Sequence, residues 1–176
     1  ISSCAQIENT APGTLPSHPR ILLTEGEETA IKSNLTEKRW STIHYFILAE
    51  ADKIIGLAPV ERVLTGRRLL DRSREALRRI FYLSYSYRMT SYRKYSDRAK
   101  EELLAIAAFT DWNPSHFLDV AEMTMAAAIG YDWLYKELDA ETRNKVREAI
   151  VEKGLKPSLD SKNNSWLKAS HNWNQV

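Results

Sequence analysis

The chain has 176 residues, of which 43% are hydrophobic and 27% charged, and its formal net charge is +2. This length and composition are typical of one globular domain, and the near-neutral charge gives no reason to expect nucleic acid as a partner. The single cysteine excludes an internal disulfide and a zinc site built from several thiolates.

The chain starts with a stretch that is typical of bacterial export. In "ISSCAQ", small residues flank Cys4, as they do at the end of an export signal. Cys4 is then the lipidated first residue of a lipoprotein, or cleavage follows Ala5; the alternative is an unstructured start. The Pro-, Ser- and Thr-rich stretch behind it predicts an extended tether. We therefore expect a signal remnant and tether over residues 1–20. The protein would be periplasmic or on the outer surface of a bacterium, with a lipidated Cys4 as its only membrane anchor.

Residues beyond the tether are predicted to be helical almost throughout. Polar residues predict helix N-caps at three positions: Thr24, Ser96 and Asp139. Gly56 predicts the end of the second helix along the chain, and Gly154 predicts the end of the helix that Asp139 caps. On the third helix, the sequence predicts core positions at Leu69, Leu70, Ala76, Leu77 and Ile80, and an apolar stripe with helical spacing adds Phe81 and Tyr85.

No run of alternating apolar and polar residues indicates a strand, so the sequence predicts an all-α fold. The stretch "SHFLDVAEMTMAAAIGYDWLY" is poor in charge and predicts an inner helix, whereas "DAETRNKVREAIVEKG" is amphipathic and predicts an outer one. Short connections make consecutive helices antiparallel neighbours. We expect antiparallel helical hairpins that form part of an incomplete α/α toroid over residues 21–176, with the ends of the inner helices facing a cleft.

Two polar and aromatic stretches flank the predicted inner helix. "FTDWNPSHFLD" places Trp112, Asn113 and His116 at a helix N-terminus, where backbone N–H groups favour anions; the alternative is capping, with Trp112 in the core. "GYDWLY" offers Tyr131 for stacking on a sugar ring or for core packing, and Asp132 for holding a partner residue.

Other site types receive less support from the sequence. The four histidines are far apart along the chain, so no metal site is predicted, and no Gly-rich phosphate loop points to a cofactor. Four carboxylates are candidates for the acid and base of a glycoside hydrolase: Asp111, Asp119, Glu122 and Asp132.

Three segments occur in an order that resembles a known family. They are "HPRILLT", "KYSDRAKEELLAIAAFTDWNPSHFLDVAEMTMAAAIGYDWLYKELDAETRNKVREAI" and "SHNWNQV". Together they resemble the N-terminal helical part of the heparinase II/III-like polysaccharide lyases, over residues 18–176. In that family a β-sandwich domain follows the toroid. The resemblance therefore implies that further toroid helices and a β domain lie beyond Val176, and that this chain by itself is inactive.

The resemblance also implies a reaction, β-elimination at a uronic acid in an acidic polysaccharide or oligosaccharide. One group binds the uronate carboxylate, a Tyr or His base removes the proton on carbon-5, and an acid protonates the leaving oxygen. An asparagine amide suits the first role because it donates a hydrogen bond without adding negative charge. The resemblance assigns this role to Asn172, with Asn174 as the second choice, and expects the base and the acid beyond Val176.

The same resemblance makes His171 and Trp173 contacts to substrate, beside Trp112, His116 and Tyr131. The alternative for "SHNWNQV" is a polar loop that caps the next helix, since asparagine is a favoured N-cap. For the whole protein, two further hypotheses stay open: an α/α-toroid glycoside hydrolase, and a non-catalytic helical protein that binds glycans.

Overall fold

A computed structural model of the chain describes residues 15–163. Its helices are α1 (Glu28–Asn34), α2 (Lys38–Ile55), α3 (Leu70–Thr90), α4 (Arg93–Ala108), α5 (Phe117–Trp133), α6 (Ala140–Ala149) and α7 (Lys156–Leu159). A π-helical segment, Ile150–Leu155, joins α6 to α7. No strand occurs within the described range, where an isolated β-bridge pairs Thr65 with Arg68. The predicted all-α fold is confirmed.

Helix α5 lies at the centre of the packing, as its low charge predicts. It contacts α3, α4, α6 and the π-helical segment, and its side chains at Val120, Met123 and Ala126 are almost completely buried. Gly130 lets neighbouring helices come close, because a Cβ there would lie 2.6 Å from Cγ2 of Ile80. The prediction of an inner helix is therefore confirmed.

Consecutive helices from α2 to α6 contact one another, which agrees with the predicted neighbours. Helix α6 buries one face through Thr142, Val146 and Ala149 and exposes the other, as an outer helix should. Closure of these hairpins into a toroid remains a prediction.

Two of the predicted N-caps are wrong. Helix α1 begins at Glu28, behind a turn in which the Thr24 backbone N–H donates to Oε2 of Glu27 at 2.6 Å. Helix α4 begins at Arg93 rather than at Ser96, whose hydroxyl donates to the Arg93 carbonyl inside the helix. The reason is that Ser91, with φ of 59°, turns the chain so sharply after α3 that α4 starts two residues later.

The other predicted cap is confirmed, since Asp139 accepts a hydrogen bond from the Thr142 backbone N–H at 2.8 Å. Gly56 does end α2. Gly154, however, does not end the last helix, because the chain stays helical through the π-helical segment to Leu159. A Cβ at Gly154 would lie 2.5 Å from Oγ1 of Thr124, so this glycine serves a close helix approach.

The core positions predicted on α3 are confirmed in part. Leu69, Ala76 and Ile80 are completely buried, as predicted, whereas Leu70, Leu77, Phe81 and Tyr85 are only half-buried. The core face of α3 is the one that contacts α5, and the sequence alone does not say which flank of a broad apolar surface meets the partner helix.

Candidate functional site

The N-terminal end of α5 is organised around a buried carboxylate. The Asp119 side chain is completely enclosed and accepts hydrogen bonds from the Leu69 backbone N–H at 2.6 Å and from the Asn113 amide at 2.7 Å. Oδ1 of Asp119 lies 2.7 Å from Nδ1 of His116. Because Leu69 directly precedes α3 and both Asn113 and His116 belong to the loop before α5, Asp119 joins the start of α3, this loop and the first turn of α5.

Asn113 reaches Asp119 because of its backbone conformation. Its φ of 59° lies in the left-handed region, which asparagine tolerates better than most residues. The side-chain amide also donates to the Arg67 carbonyl at 2.9 Å. Asn113 is therefore a structural residue of this loop.

His116 lies in the loop before α5 and is partly exposed, with 22% of its side chain open to solvent. The Asp119 carboxylate accepts a hydrogen bond from Nδ1 of His116. In a neutral ring the proton is therefore on Nδ1, and Nε2 is left as an acceptor. Within residues 15–163, Nε2 makes no hydrogen bond. The carboxylate thus fixes the ring while one nitrogen stays available, which is compatible with the predicted substrate contact.

Trp112 does not fit its predicted role. Its side chain is completely buried, and its indole N–H donates to the Ile106 carbonyl at 3.0 Å. The ring also lies against Gly154. No ring face is open to a sugar, so the expectation that Trp112 contacts substrate is corrected to the alternative of core packing.

The C-terminal end of α5 binds the beginning of the described chain. Oδ2 of Asp132 accepts hydrogen bonds from the backbone N–H groups of Arg20 at 2.8 Å and Ile21 at 3.0 Å. Its Oδ1 lies 2.5 Å from Nδ1 of His18. The indole of Trp133 donates to the Ile21 carbonyl. We call residues 18–21 the N-terminal strap.

This strap also covers the aromatic rings of "GYDWLY". The His18 ring stacks on Tyr135 with centroids 4.0 Å apart, and it meets the half-buried Tyr131 edge-on at 5.7 Å. The expectation that Asp132 holds a partner residue is therefore confirmed. The contact of Tyr131 with a sugar stays a prediction. The predicted domain boundary at residue 20 passes through the strap.

A second anchor holds the chain behind the strap. Arg88 of α3 is buried, and its guanidinium donates to the carbonyls of Leu23 and Thr24 and pairs with Glu28 of α1. Nothing in the sequence distinguished this arginine from the other arginines of α3.

The four carboxylates considered for hydrolysis are each bound by other groups of the protein. Asp111 and Glu122 each pair with an arginine, and Asp119 and Asp132 are buried with several donors. Asp119 and Asp132 stand at opposite ends of α5, about 20 Å apart at 1.5 Å per residue, whereas glycosidase carboxylates lie about 5–9.5 Å apart. This arrangement disfavours the hydrolase alternative.

The residues predicted to bind the uronate, His171, Asn172, Trp173 and Asn174, lie outside the described residues, as does Cys4. Across residues 15–163, no group of three His, Cys, Asp or Glu side chains is placed to hold a metal ion. None of the helices in that range is long and apolar enough to cross a membrane.

No protein-family model matches the chain, and no curated protein matches it. The resemblance to the heparinase II/III-like lyases therefore rests on the three sequence segments alone.

Proposed function

We propose that the protein to which this chain belongs is an exported polysaccharide lyase that cleaves uronate-containing glycans by β-elimination. Residues 21–176 would form the N-terminal part of its toroid. The observation that carries the proposal is a contact between two of the three family-like segments. His18 and Arg20 of "HPRILLT" bind Asp132 of the second segment, up to 114 residues away. This contact gives a physical reason for the two segments to occur together.

The reaction requires a group that lowers the energy of the developing enolate. The proton on carbon-5 of a uronate is too weakly acidic to leave unless the carboxylate is hydrogen-bonded or neutralised. We assign this role to Asn172, whose amide donates without a competing negative charge. The same proposal makes His171 and Trp173 substrate contacts and places the base and the acid elsewhere in the protein.

The experiment is an elimination assay on the protein that carries this chain. Each cleavage should create a conjugated double bond, which absorbs in the ultraviolet, in oligosaccharides released from an acidic glycan. Asn172→Ala should lower turnover by about a hundred- to a thousandfold, as the loss of one oxyanion donor does. Substrate binding should weaken less, because the interaction strengthens as charge develops.

Asn174→Ala is the matched control for this assay. A large loss in Asn174→Ala with near wild-type turnover in Asn172→Ala would move the role to Asn174. Full turnover in both variants would contradict the assignment of the uronate site to "SHNWNQV". Saturated products from every acidic glycan would contradict the lyase proposal, and binding without turnover would favour the non-catalytic alternative.

A further inference from the structure

A small pocket of about 190 Å³ lies where α1, α2 and α3 meet, and no residue of α5 lines it. Trp40 and Ile43 of α2 form one apolar side of the pocket. Asn34, His44 and Tyr85 supply its polar groups. Because three helices contribute, the positions of these side chains are set by rigid elements rather than by a loop.

Trp40 gives the pocket an accessible aromatic surface. Although tryptophan is usually well buried, 41% of this residue is exposed. The Arg39 guanidinium carbon lies 4.5 Å from the centroid of the Trp40 ring, in a cation–π contact. An indole of this kind offers a flat apolar face with a polar N–H at its edge, which suits the C–H face of a sugar ring.

The polar groups of the pocket have unused hydrogen-bonding capacity. Nδ1 of the buried His44 lies 3.0 Å from the Tyr85 hydroxyl, while its Nε2 makes no hydrogen bond within the described part of the chain. Burial, followed by the nearby charge of Lys32, lowers the pKa of His44, which keeps the ring neutral at pH 7. The exposed amide of Asn34 is also without a hydrogen bond among residues 15–163.

The charges beside the pocket are Lys32 and Arg39, with Glu37 two residues before Arg39 along the chain. No Asp or Glu lines the pocket. Lys32 and Arg39 flank it, and neither forms an ion pair with any described residue. Glu28, on the same helix as Lys32, is engaged by Arg88. A ligand with a carboxylate would therefore be attracted to this side of the molecule.

We propose that this pocket binds one carboxylate-bearing sugar ring of an acidic oligosaccharide. Trp40 stacks on the ring, Lys32 and Arg39 pair with its carboxylate, and Asn34 and His44 bond to its hydroxyls. An apolar side chain of a protein partner would leave both cations and both polar groups without partners, which favours the sugar. The site is separate from the proposed uronate site at Asn172 and does not depend on elimination.

The test is a calorimetric titration of the chain with a tetrameric oligogalacturonate. The titration uses a Trp173→Ala background, which removes one predicted contact at the other site, and the pocket variants assign the remaining binding to the pocket. The matched ligand is the same oligosaccharide after its carboxylates have been reduced to alcohols. We expect Trp40→Ala to weaken binding about tenfold. Arg39→Gln should weaken it about threefold, and the reduced ligand about tenfold.

Arg72→Gln is the control for charge, because this arginine is exposed on α3 and lines no part of the pocket. It should bind as the background does, and all variants should keep the unfolding temperature of the background. The proposal is overturned if the oligogalacturonate does not bind, if the reduced ligand binds equally well, or if Trp40→Ala and Arg39→Gln leave affinity unchanged. Absence of elimination products would contradict the proposed function and would leave this binding result intact.

Discussion

Replacing Asp119 with alanine should strongly destabilise the fold. The variant leaves three donors without their acceptor: the Leu69 N–H, the Asn113 amide and His116. The first two are enclosed, and each unsatisfied buried donor costs about 1–3 kcal/mol, while His116 can turn to water. We expect the free energy of unfolding to fall by about 3–5 kcal/mol, a large part of the roughly 5–15 kcal/mol of a domain.

Urea unfolding followed by far-ultraviolet circular dichroism measures this loss. Glu122→Ala, one turn further along α5, is the matched control, because Glu122 retains 18% exposure and pairs with the exposed Arg74. Its other partner, the buried Ser73 hydroxyl, also bonds to the Leu70 carbonyl. Glu122→Ala should cost about 1 kcal/mol or less. If Asp119→Ala unfolds within about 1 kcal/mol of Glu122→Ala, the view of Asp119 as the junction of three segments is refuted.

Three further predictions follow from the same contacts. Gly154→Ala should cost about 1–3 kcal/mol in thermal unfolding, and Thr124→Ala should restore part of it, because the new methyl group would lie 2.5 Å from Oγ1 of Thr124. Burial, and after it the charge of Lys32, lowers the pKa of His44. The contribution of His44 to stability is therefore complete above about pH 6.5 and is lost as pH falls through the folded-state pKa. The unfolding temperature of the wild type should therefore fall more than that of His44→Gln between about pH 7.5 and pH 5. Asp132→Ala should release the N-terminal strap, so that trypsin cleaves after Arg20 faster than in the wild type.

Two of these predictions have a control within the chain, and the third compares His44→Gln with the wild type. Gly56→Ala should be nearly neutral, since the nearest atom to a Cβ there is 3.8 Å away. Asp97→Ala, exposed on α4, should leave tryptic cleavage after Arg20 unchanged. An equal pH response of His44→Gln and wild type would show that the pKa of His44 does not govern stability in this range.

The fold could be predicted where a local rule acts alone. The inner position of α5 follows from its composition, and the cap at Asp139 follows from one side chain and one backbone N–H. The predicted cap at Ser96 was wrong because Ser91 adopts a left-handed conformation, which lets α4 begin three residues earlier, at Arg93. The predicted helix end at Gly154 was wrong because this glycine serves a close contact with Thr124, which only the packing of two helices brings near.

The candidate sites show the same division. The sequence singled out Asp132 as a residue that holds a partner, but it could not name His18, 114 residues away. It offered two interpretations of Trp112, and only burial decided between them. The pocket at Trp40 could not be predicted from the sequence, because its polar groups come from three helices and no motif links them.

The helix dipole of α5 explains why Asp132, at its C-terminal end, is bound by the N-terminal strap. Asp119 sits in the first turn, where the helix dipole favours a negative charge, whereas Asp132 sits in the last turn, where the dipole opposes it. Asp132 therefore requires more compensation, and the strap supplies it through two backbone N–H groups, the His18 ring and the Arg20 guanidinium at 3.9 Å. The inner helix is then fixed at both ends. If these ends face a cleft, as a toroid predicts, groups such as His116 are presented with the fixed orientation that a substrate site requires, within about 0.5 Å.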